Sequence, residues 1–186
     1  MRRALVVGGT RGIGLALANK LADLGWDVLA TGKASLDLEL QETWDLPDEG
    51  AFDLVVFSAG DLRPGKWDTK SMADLCSSYM VHAAGPVAFL AHHRRLFPWW
   101  AKVVFITSVG ARNAGAVDVG YGMAKAALNK AALALAAEES WQVTLVELDL
   151  VNTRMLSLLP ADTLHGRRIM EPEEAADLIV AKADLA

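Results

Sequence analysis

The chain has 186 residues, of which 53% are hydrophobic and 22% are charged, and its formal net charge is −5. This composition predicts one globular domain over residues 1–186. The negative charge argues against nucleic acid and anionic membranes as general partners, and no apolar run approaches the length of a membrane span. Cys76 is the only cysteine, which excludes an internal disulfide and favours a reducing, cytoplasmic location.

Strands and helices are predicted to alternate along the chain. Short apolar runs predict strands at residues 4–7, 26–31, 36–38 (short), 52–58, 102–107 and 142–150. Helical spacing predicts helices at residues 13–24, 71–95, 120–139 and 171–182, with one turn at 41–44 and a kink at Gly85-Pro86. This order indicates an α/β fold with a doubly wound parallel sheet of about six strands, covered by helices on both faces. Ligands of such sheets bind at the carboxyl ends of the strands.

The turn after the first predicted strand is rich in glycine and reads Gly8-Gly9-Thr10-Arg11-Gly12-Ile13-Gly14. Between a strand and a helix, Gly8 permits a tight turn and Gly12 lets a diphosphate approach the backbone. Gly14 lets the helix pack close to the sheet. The helix N-terminus then offers free N–H groups to an anion. The alternative is a glycine-rich turn that serves packing alone.

Hydroxyl groups and one lysine follow the later strands. Ser108 ends a predicted strand, and Tyr121 and Lys125 lie one turn apart at the start of the next helix, on the same face. A nearby cation favours the phenolate and lowers the phenol pKa from its usual value of about 10. Tyr121 could then exchange a proton with a substrate oxygen that Ser108 hydrogen-bonds, and Lys125 could reach a cofactor ribose. The alternative is an exposed pair on a helix, and no metal-ligand spacing is present.

In combination, these motifs resemble the short-chain dehydrogenase/reductase family over about residues 4–153. The glycine motif, the serine and the Tyr-x-x-x-Lys pair match the family in order and spacing, and Ser58-Ala59-Gly60 occupies its Asn-Ala-Gly position. The resemblance implies a Rossmann fold, a nicotinamide cofactor and a small-molecule carbonyl or alcohol substrate. The cofactor-binding residues that it implies, with Thr153 near the nicotinamide amide and Asp37 near the adenine ring, are Gly8, Thr10, Arg11, Gly12, Ile13, Gly14, Lys33, Asp37, Ser58, Ala59, Gly60, Tyr121, Lys125 and Thr153.

The chain departs from the family pattern at several positions. Ser58 replaces the usual Asn, and Leu148-Asp149 replaces the usual Pro-Gly. His82 falls where the fourth catalytic residue, an Asn, is expected. Since histidine can donate and accept hydrogen bonds, His82 either joins the proton relay or only packs in its helix. The family's closing strand is missing after the last predicted helix, so we expect a truncated member that is a monomer or a homodimer.

The cofactor preference is read after the second strand, where an acidic residue would favour NAD(H). The sequence there is Thr31-Gly32-Lys33 and contains no acid. Arg11 and Lys33 could together bind a 2′-phosphate, so we expect NADP(H) rather than NAD(H).

The predicted function is therefore an NADP(H)-dependent oxidoreductase that interconverts a carbonyl and an alcohol. One alternative is a sensor that binds NADP(H) without turnover, against which the retained Ser108, Tyr121 and Lys125 argue. Another is a lyase or epimerase on the same fold. Long C-terminal substrate segments would favour that alternative, and this chain lacks them.

Overall fold

A computed structural model describes residues 1–46, 50–113 and 118–186. Within these residues one parallel sheet is formed by the strands β1 (Arg3–Val7), β2 (Asp27–Thr31), β3 (Leu54–Phe57), β4 (Lys102–Ser108) and β5 (Gln142–Leu148). The strand order is β2-β1-β3-β4-β5. Val7 pairs with Thr31 on one side and with Phe57 on the other. The carboxyl ends of these three strands therefore lie side by side.

The helices are α1 (Gly12–Asp23), α2 (Met72–Tyr79), a π-helix at Met80–Ala84, α3 (Gly85–His92), α4 (Val119–Glu138), α5 (Ala161–Leu164) and α6 (Pro172–Lys182). The helices predicted at residues 120–139 and 171–182 are confirmed to within one residue. No helix in the described ranges is long and apolar enough to cross a membrane.

Apolar side chains cover both faces of the sheet. On one face Leu17 of α1 and Ile179 of α6 pack in a fully buried cluster. On the other face Phe89 of α3 and Leu128 of α4 pack in a second cluster. Strands buried on both sides are near-continuous apolar runs, as Ala4 to Val7 shows. The predicted doubly wound parallel sheet is confirmed.

The helix predicted over residues 71–95 is broken by the π-helix. Pro86 has no N–H to bond the carbonyl of His82, four residues earlier. The Gly85 N–H instead reaches the carbonyl of Met80, five residues earlier. A Cβ at Gly85 would lie 2.5 Å from that oxygen, so only glycine fits there. His82 lies within this irregular turn and is buried there.

The short strand predicted at residues 36–38 is a loop, and the sheet of the described residues has five strands. Its backbone groups are bonded locally. The Asp37 N–H donates to Thr43 Oγ1 at 2.8 Å, and the Asp37 carbonyl accepts from Trp44 Nε1 at 2.7 Å. Leu36 and Leu38 are buried, so the apolar residues that suggested a strand do pack in the core. They do so without pairing with a strand. The predicted turn near residue 41 is present as a 3₁₀ turn, Gln41–Thr43. Residues 47–49 of this connection lie outside the described residues.

Candidate active site

Two adjoining cavities lie at the carboxyl edge of the sheet. The glycine-loop groove encloses about 540 Å³ beside β1, β2 and β3, and the tyrosine cavity encloses about 190 Å³ beside β4 and β5. The predicted site residues that line only the groove are Gly8, Thr10, Arg11, Gly12, Lys33 and Asp37. The cavity alone contains His82, Ser108, Tyr121 and Lys125. Both contain Ile13, Ser58, Ala59, Gly60 and Thr153. Every predicted site residue except Gly14 therefore lines one of the two.

The glycines of the turn allow close approach of neighbouring chain segments and side chains. Gly8 has a φ of 86°, and a Cβ there would lie 2.4 Å from the Ala59 nitrogen. Gly12 has a φ of 53°, and a Cβ there would lie 3.1 Å from Thr153 Cγ2. A Cβ at Gly14 would lie 2.1 Å from the Gly8 carbonyl oxygen. Gly14 thus serves helix packing, as predicted, and does not line the groove.

The N-terminus of α1 opens into the groove. Its N-cap residue is Arg11, whose side chain makes no capping hydrogen bond, and its first turn contains no acidic residue. Because the N-cap side chain does not bond them, the first N–H groups of the helix can bind an anion, and the helix dipole adds partial positive charge. This arrangement fits a phosphate group, and the positive-φ Gly12 leaves room for one beside the backbone.

The two predicted 2′-phosphate ligands differ in their surroundings. Lys33 Nζ lies 3.0 Å from Glu39 Oε2 and 3.3 Å from Asp37 Oδ2. The hydrogen bond to Glu39 raises the pKa of Lys33. Arg11 is exposed at the groove. An incoming phosphate would therefore compete with two carboxylates for Lys33.

Asp37, the predicted adenine contact, is buried at the edge of the groove. Its Oδ1 accepts the Glu39 N–H at 3.0 Å, and its Oδ2 pairs with Lys33. Asp37 lines the groove, its carboxylate fixes the turn after β2, and its contact with the adenine ring stays a prediction.

Ser108 and Tyr121 are brought together in the tyrosine cavity. Ser108 ends β4, Tyr121 lies in the first turn of α4, and both side chains line the cavity, where the serine hydroxyl acts to lower the pKa of the phenol. The Gly110 N–H donates to Ser108 Oγ at 3.1 Å, which orients the serine hydroxyl. The structure therefore brings the two predicted hydroxyl side chains into one cavity.

Lys125 lies beneath the tyrosine ring. Its Nζ is 5.7 Å from the Tyr121 ring centroid and donates to the Ile106 carbonyl at 2.7 Å. Burial lowers the pKa of Lys125 to about 7. Burial also raises the pKa of Tyr121, against the opposing effect of the Ser108 hydrogen bond. The lowered phenol pKa expected from sequence is thus absent in the protein chain itself, because desolvation outweighs the effect of Ser108 and because burial also disfavours the charged form of Lys125.

His82 packs edge-on against Tyr121, with ring centroids 4.9 Å apart. Its Nε2 lies 2.7 Å from the Asp61 carbonyl oxygen and 3.2 Å from the Asp61 nitrogen. Because a carbonyl oxygen can only accept and its contact is the shorter, we assign the proton to Nε2, which leaves Nδ1 with a lone pair. Nδ1 is buried and has no hydrogen-bond partner among the described residues. Burial and the Lys125 charge lower the pKa of His82 to about 3, so the ring is neutral.

Two further residues, Asp118 and Lys70, escaped the sequence-based prediction. Asp118 is buried at the N-cap of α4, where Oδ1 accepts the Gly120 and Tyr121 N–H groups at 2.8 and 3.3 Å. Its Oδ2 accepts from Lys70 Nζ at 3.0 Å, and Lys70 also donates to the Arg63 carbonyl. An Asp three residues before Tyr121 is an N-cap signal that could have been read. No local pattern marks Lys70, which comes from a distant loop.

Comparison with known proteins identifies the family of this chain. A family model described as enoyl-(acyl carrier protein) reductase matches residues 39–181. A solved structure described as a short chain dehydrogenase/reductase family protein is 25% identical, with a TM-score of 0.84, and the match covers 98% of this chain and 89% of that chain. The chain belongs to the short-chain dehydrogenase/reductase family.

Two further structures resemble this dehydrogenase/reductase in fold, each at 21% identity. BdcA in complex with NADPH has a TM-score of 0.78, and the match covers 99% of this chain and 88% of that chain. A small-chain dehydrogenase in complex with NADPH has a TM-score of 0.83, with 95% and 88% covered. No match was found among the curated proteins.

The departures from the family pattern have visible structural consequences in this dehydrogenase/reductase. The Ser58 N–H donates to the Val7 carbonyl at 2.9 Å, so the backbone joins the neighbouring strand ends at this position. Asp149, in the position of the usual Pro-Gly motif, pairs with Arg167 at the tyrosine cavity. His82 fills the space beside Gly60, where a Cβ would lie 3.1 Å from His82 Cε1.

Proposed function

We propose that this short-chain dehydrogenase/reductase is an NADP(H)-dependent enzyme that interconverts a small-molecule carbonyl and an alcohol. The observation that carries the proposal is that Ser108 and Tyr121 lie together in the tyrosine cavity, whose lining shares Ser58, Gly60 and Thr153 with the glycine-loop groove. A carbonyl oxygen at this pair would be close to a dinucleotide in the groove. We take residues 1–186 as one functional unit, since both cavities are built on one sheet.

The proton chemistry falls to Tyr121. Burial raises its pKa, so at neutral pH the phenol holds the proton that a reduced carbonyl oxygen needs. Ser108 accepts the Gly110 N–H, and its own O–H would turn from the phenol to donate to the same substrate oxygen. A bound nicotinamide would supply the hydride, because no protein side chain does.

Lys125 supports the phenolate that remains after proton transfer. Its pKa of about 7 lets it take up a proton when negative charge develops nearby. The ammonium is held in place by the Ile106 carbonyl, and it lies under the tyrosine ring. We also assign Lys125 a contact with the ribose of the cofactor.

We assign His82 to the proton relay. A buried acceptor without a partner is costly, so packing alone gives no reason for the unpaired Nδ1. His82→Gln should lower turnover while NADPH affinity stays constant. If turnover changes only as much as stability does, His82 has a packing role alone.

The groove favours NADP(H), with Gly8, Thr10, Gly12, Ile13, Ser58, Ala59, Gly60 and Thr153 around the dinucleotide. Arg11 is the main candidate for the 2′-phosphate, because Lys33 is already paired with two carboxylates. The two NADPH complexes among the structural neighbours support this choice.

Assembly as a monomer or a homodimer is also proposed. Helix α2 exposes Met72 and Tyr79, and α4 exposes Met123 and Leu133, which together suit a helix-to-helix interface. Light scattering that reports a stable tetramer at micromolar concentration would contradict this assembly.

The single thiol, Cys76, is exposed and free, which suits the reducing cytoplasm.

A screen of ketones and aldehydes with NADPH tests the proposed reaction. The expected result is loss of nicotinamide absorbance together with formation of the matching alcohol. If NADPH binds and no carbonyl compound is reduced, the chain is a binding protein, and the enzymatic proposal is wrong.

A further inference from the structure

The walls of the tyrosine cavity are mainly apolar. The side chains that surround the space beyond the hydroxyl pair come from the loops after β3, β4 and β5. They are Leu62, Val109, Met155, Leu156 and Leu159. Asn113 and Thr163 add uncharged polar groups to the same lining. A ligand body in this space would therefore meet hydrocarbon on most sides.

The ionisable side chains inside the cavity either have protein partners or are neutral. Lys125 is buried and donates to the Ile106 carbonyl. Asp118 is buried and neutralised by Lys70, and it also caps α4. His82 is neutral because burial lowers its pKa to about 3. By sequence, residues 114–117 contain no ionisable side chain.

The remaining charged pair of the lining lies at the rim. Arg167 and Asp149 form an ion pair there, and their side chains are 38% and 48% exposed. Because Asp149 neutralises Arg167, the rim offers no net positive charge. A substrate carboxylate would have to displace Asp149 and would then lie beside it.

Given the proposed reaction, we infer that the substrate is an uncharged ketone or aldehyde, or the matching alcohol, with an apolar body. Its carbonyl end lies at Ser108 and Tyr121, and its far end lies near the Asp149–Arg167 pair. A carboxylate or phosphate at the far end is disfavoured, because desolvating an anion without an available cation is costly. This inference rests on the proposed function.

Binding measurements with matched esters and acids test the inference. The probes are methyl 4-acetylbenzoate against 4-acetylbenzoate, and ethyl levulinate against levulinate. Calorimetry on the protein saturated with oxidised NADP⁺ measures affinity where no reduction can occur. We expect each ester to bind at least about tenfold more tightly than its acid. Equal affinities, or tighter binding of the acids, would overturn the inference.

Variants of the rim pair sharpen the test. Asp149→Asn frees Arg167 and should reduce the preference for esters by about tenfold, through tighter binding of the acids. Asp149→Asn combined with Arg167→Gln should restore the preference. The matched control is Glu174→Gln, which frees Arg168 from a similar pair outside the cavity lining and should leave the preference unchanged. An unchanged preference in Asp149→Asn would also contradict the inference.

The two proposals fail in distinguishable ways. If the esters bind tightly and NADPH reduces none of the carbonyl compounds, the enzymatic proposal fails while the preference of the cavity stands. If carbonyl compounds are reduced but acids and esters bind equally, the reaction stands and the inferred substrate class is wrong.

Discussion

The glycine-loop groove and the tyrosine cavity adjoin, yet they are built from opposite kinds of group. In the groove a ligand would meet backbone atoms, at Gly8, at Gly12 and at the N-terminus of α1. The cavity presents side chains buried away from water, above all Lys125 and His82. Backbone N–H groups keep the same charge at any working pH. Buried side chains take their protonation state from their surroundings.

From this difference we expect the groove to determine cofactor binding and the cavity to determine proton transfer. Lys33 in the groove is largely exposed and paired, and its pKa is raised by Glu39. Lys125 in the cavity is buried, and its pKa is lowered to about 7. We therefore expect substitutions in the groove to change cofactor affinity and substitutions in the cavity to change turnover. Two predictions, on Tyr121 and Arg11, test this division directly, and two, on Lys70 and Lys125, test the buried charges at the cavity. They are given from the largest expected effect to the smallest.

Lys70→Met should destabilise the folded protein. The change leaves the Asp118 carboxylate buried without its cation, so the free energy of unfolding should fall by about 3–5 kcal/mol. Urea denaturation measures the change, with Lys66→Met as the exposed control on the same loop. Adding Asp118→Asn should recover part of the loss, because Asn keeps an acceptor for the helix N–H groups. Equal stability of the Lys70 and Lys66 variants would show that the pair contributes little.

Tyr121→Phe should lower turnover by at least about 100-fold, the usual contribution of general acid catalysis. Only a hydroxyl is lost, so the fold and the NADPH dissociation constant should be nearly unchanged. Tyr79→Phe is the matched control, because Tyr79 is the only other tyrosine and lies half-exposed on α2. Turnover is measured on a substrate found in the carbonyl screen. Undiminished turnover in Tyr121→Phe would mean that the motif is structural.

Arg11→Ala should reduce the preference for NADPH over NADH by about tenfold, the effect of losing one charge-assisted hydrogen bond. Lys33→Ala should have a smaller effect, because Asp37 and Glu39 already hold that ammonium. Calorimetry with both cofactors measures the two ratios. If the native protein binds NADH as tightly as NADPH, the assigned cofactor preference is wrong.

Lys125 should make stability depend on pH. Its pKa is about 7 in the folded protein against an ordinary value of 10.5, so between these values the unfolded chain binds one more proton. The free energy of unfolding should therefore gain a contribution from Lys125 that increases as pH rises through this window. Thermal denaturation of Lys125→Met at pH 7 and pH 9 should show a smaller pH-dependent increase than in the native protein. Parallel curves for both proteins would exclude a buried neutral lysine.

Sequence patterns predicted most of the groove, because its parts are neighbours along the chain. Gly8, Gly12 and Gly14 belong to one turn, and their conformational requirements are local. The same holds for Tyr121 and Lys125, which share a helix face through their spacing. The strand at residues 36–38 was predicted wrongly, because apolar burial and strand pairing give the same short signal.

The sequence by itself determined the alternation of strands and helices, the glycine turn, and the order of Ser108, Tyr121 and Lys125. These features depend on periodicity and on the conformational range of single residues. Only the tertiary structure decided which charges meet, as in Lys70 with Asp118, Lys33 with Asp37, and Arg167 with Asp149. It also decided that burial raises the pKa of Tyr121, since desolvation depends on what the rest of the chain packs around a group.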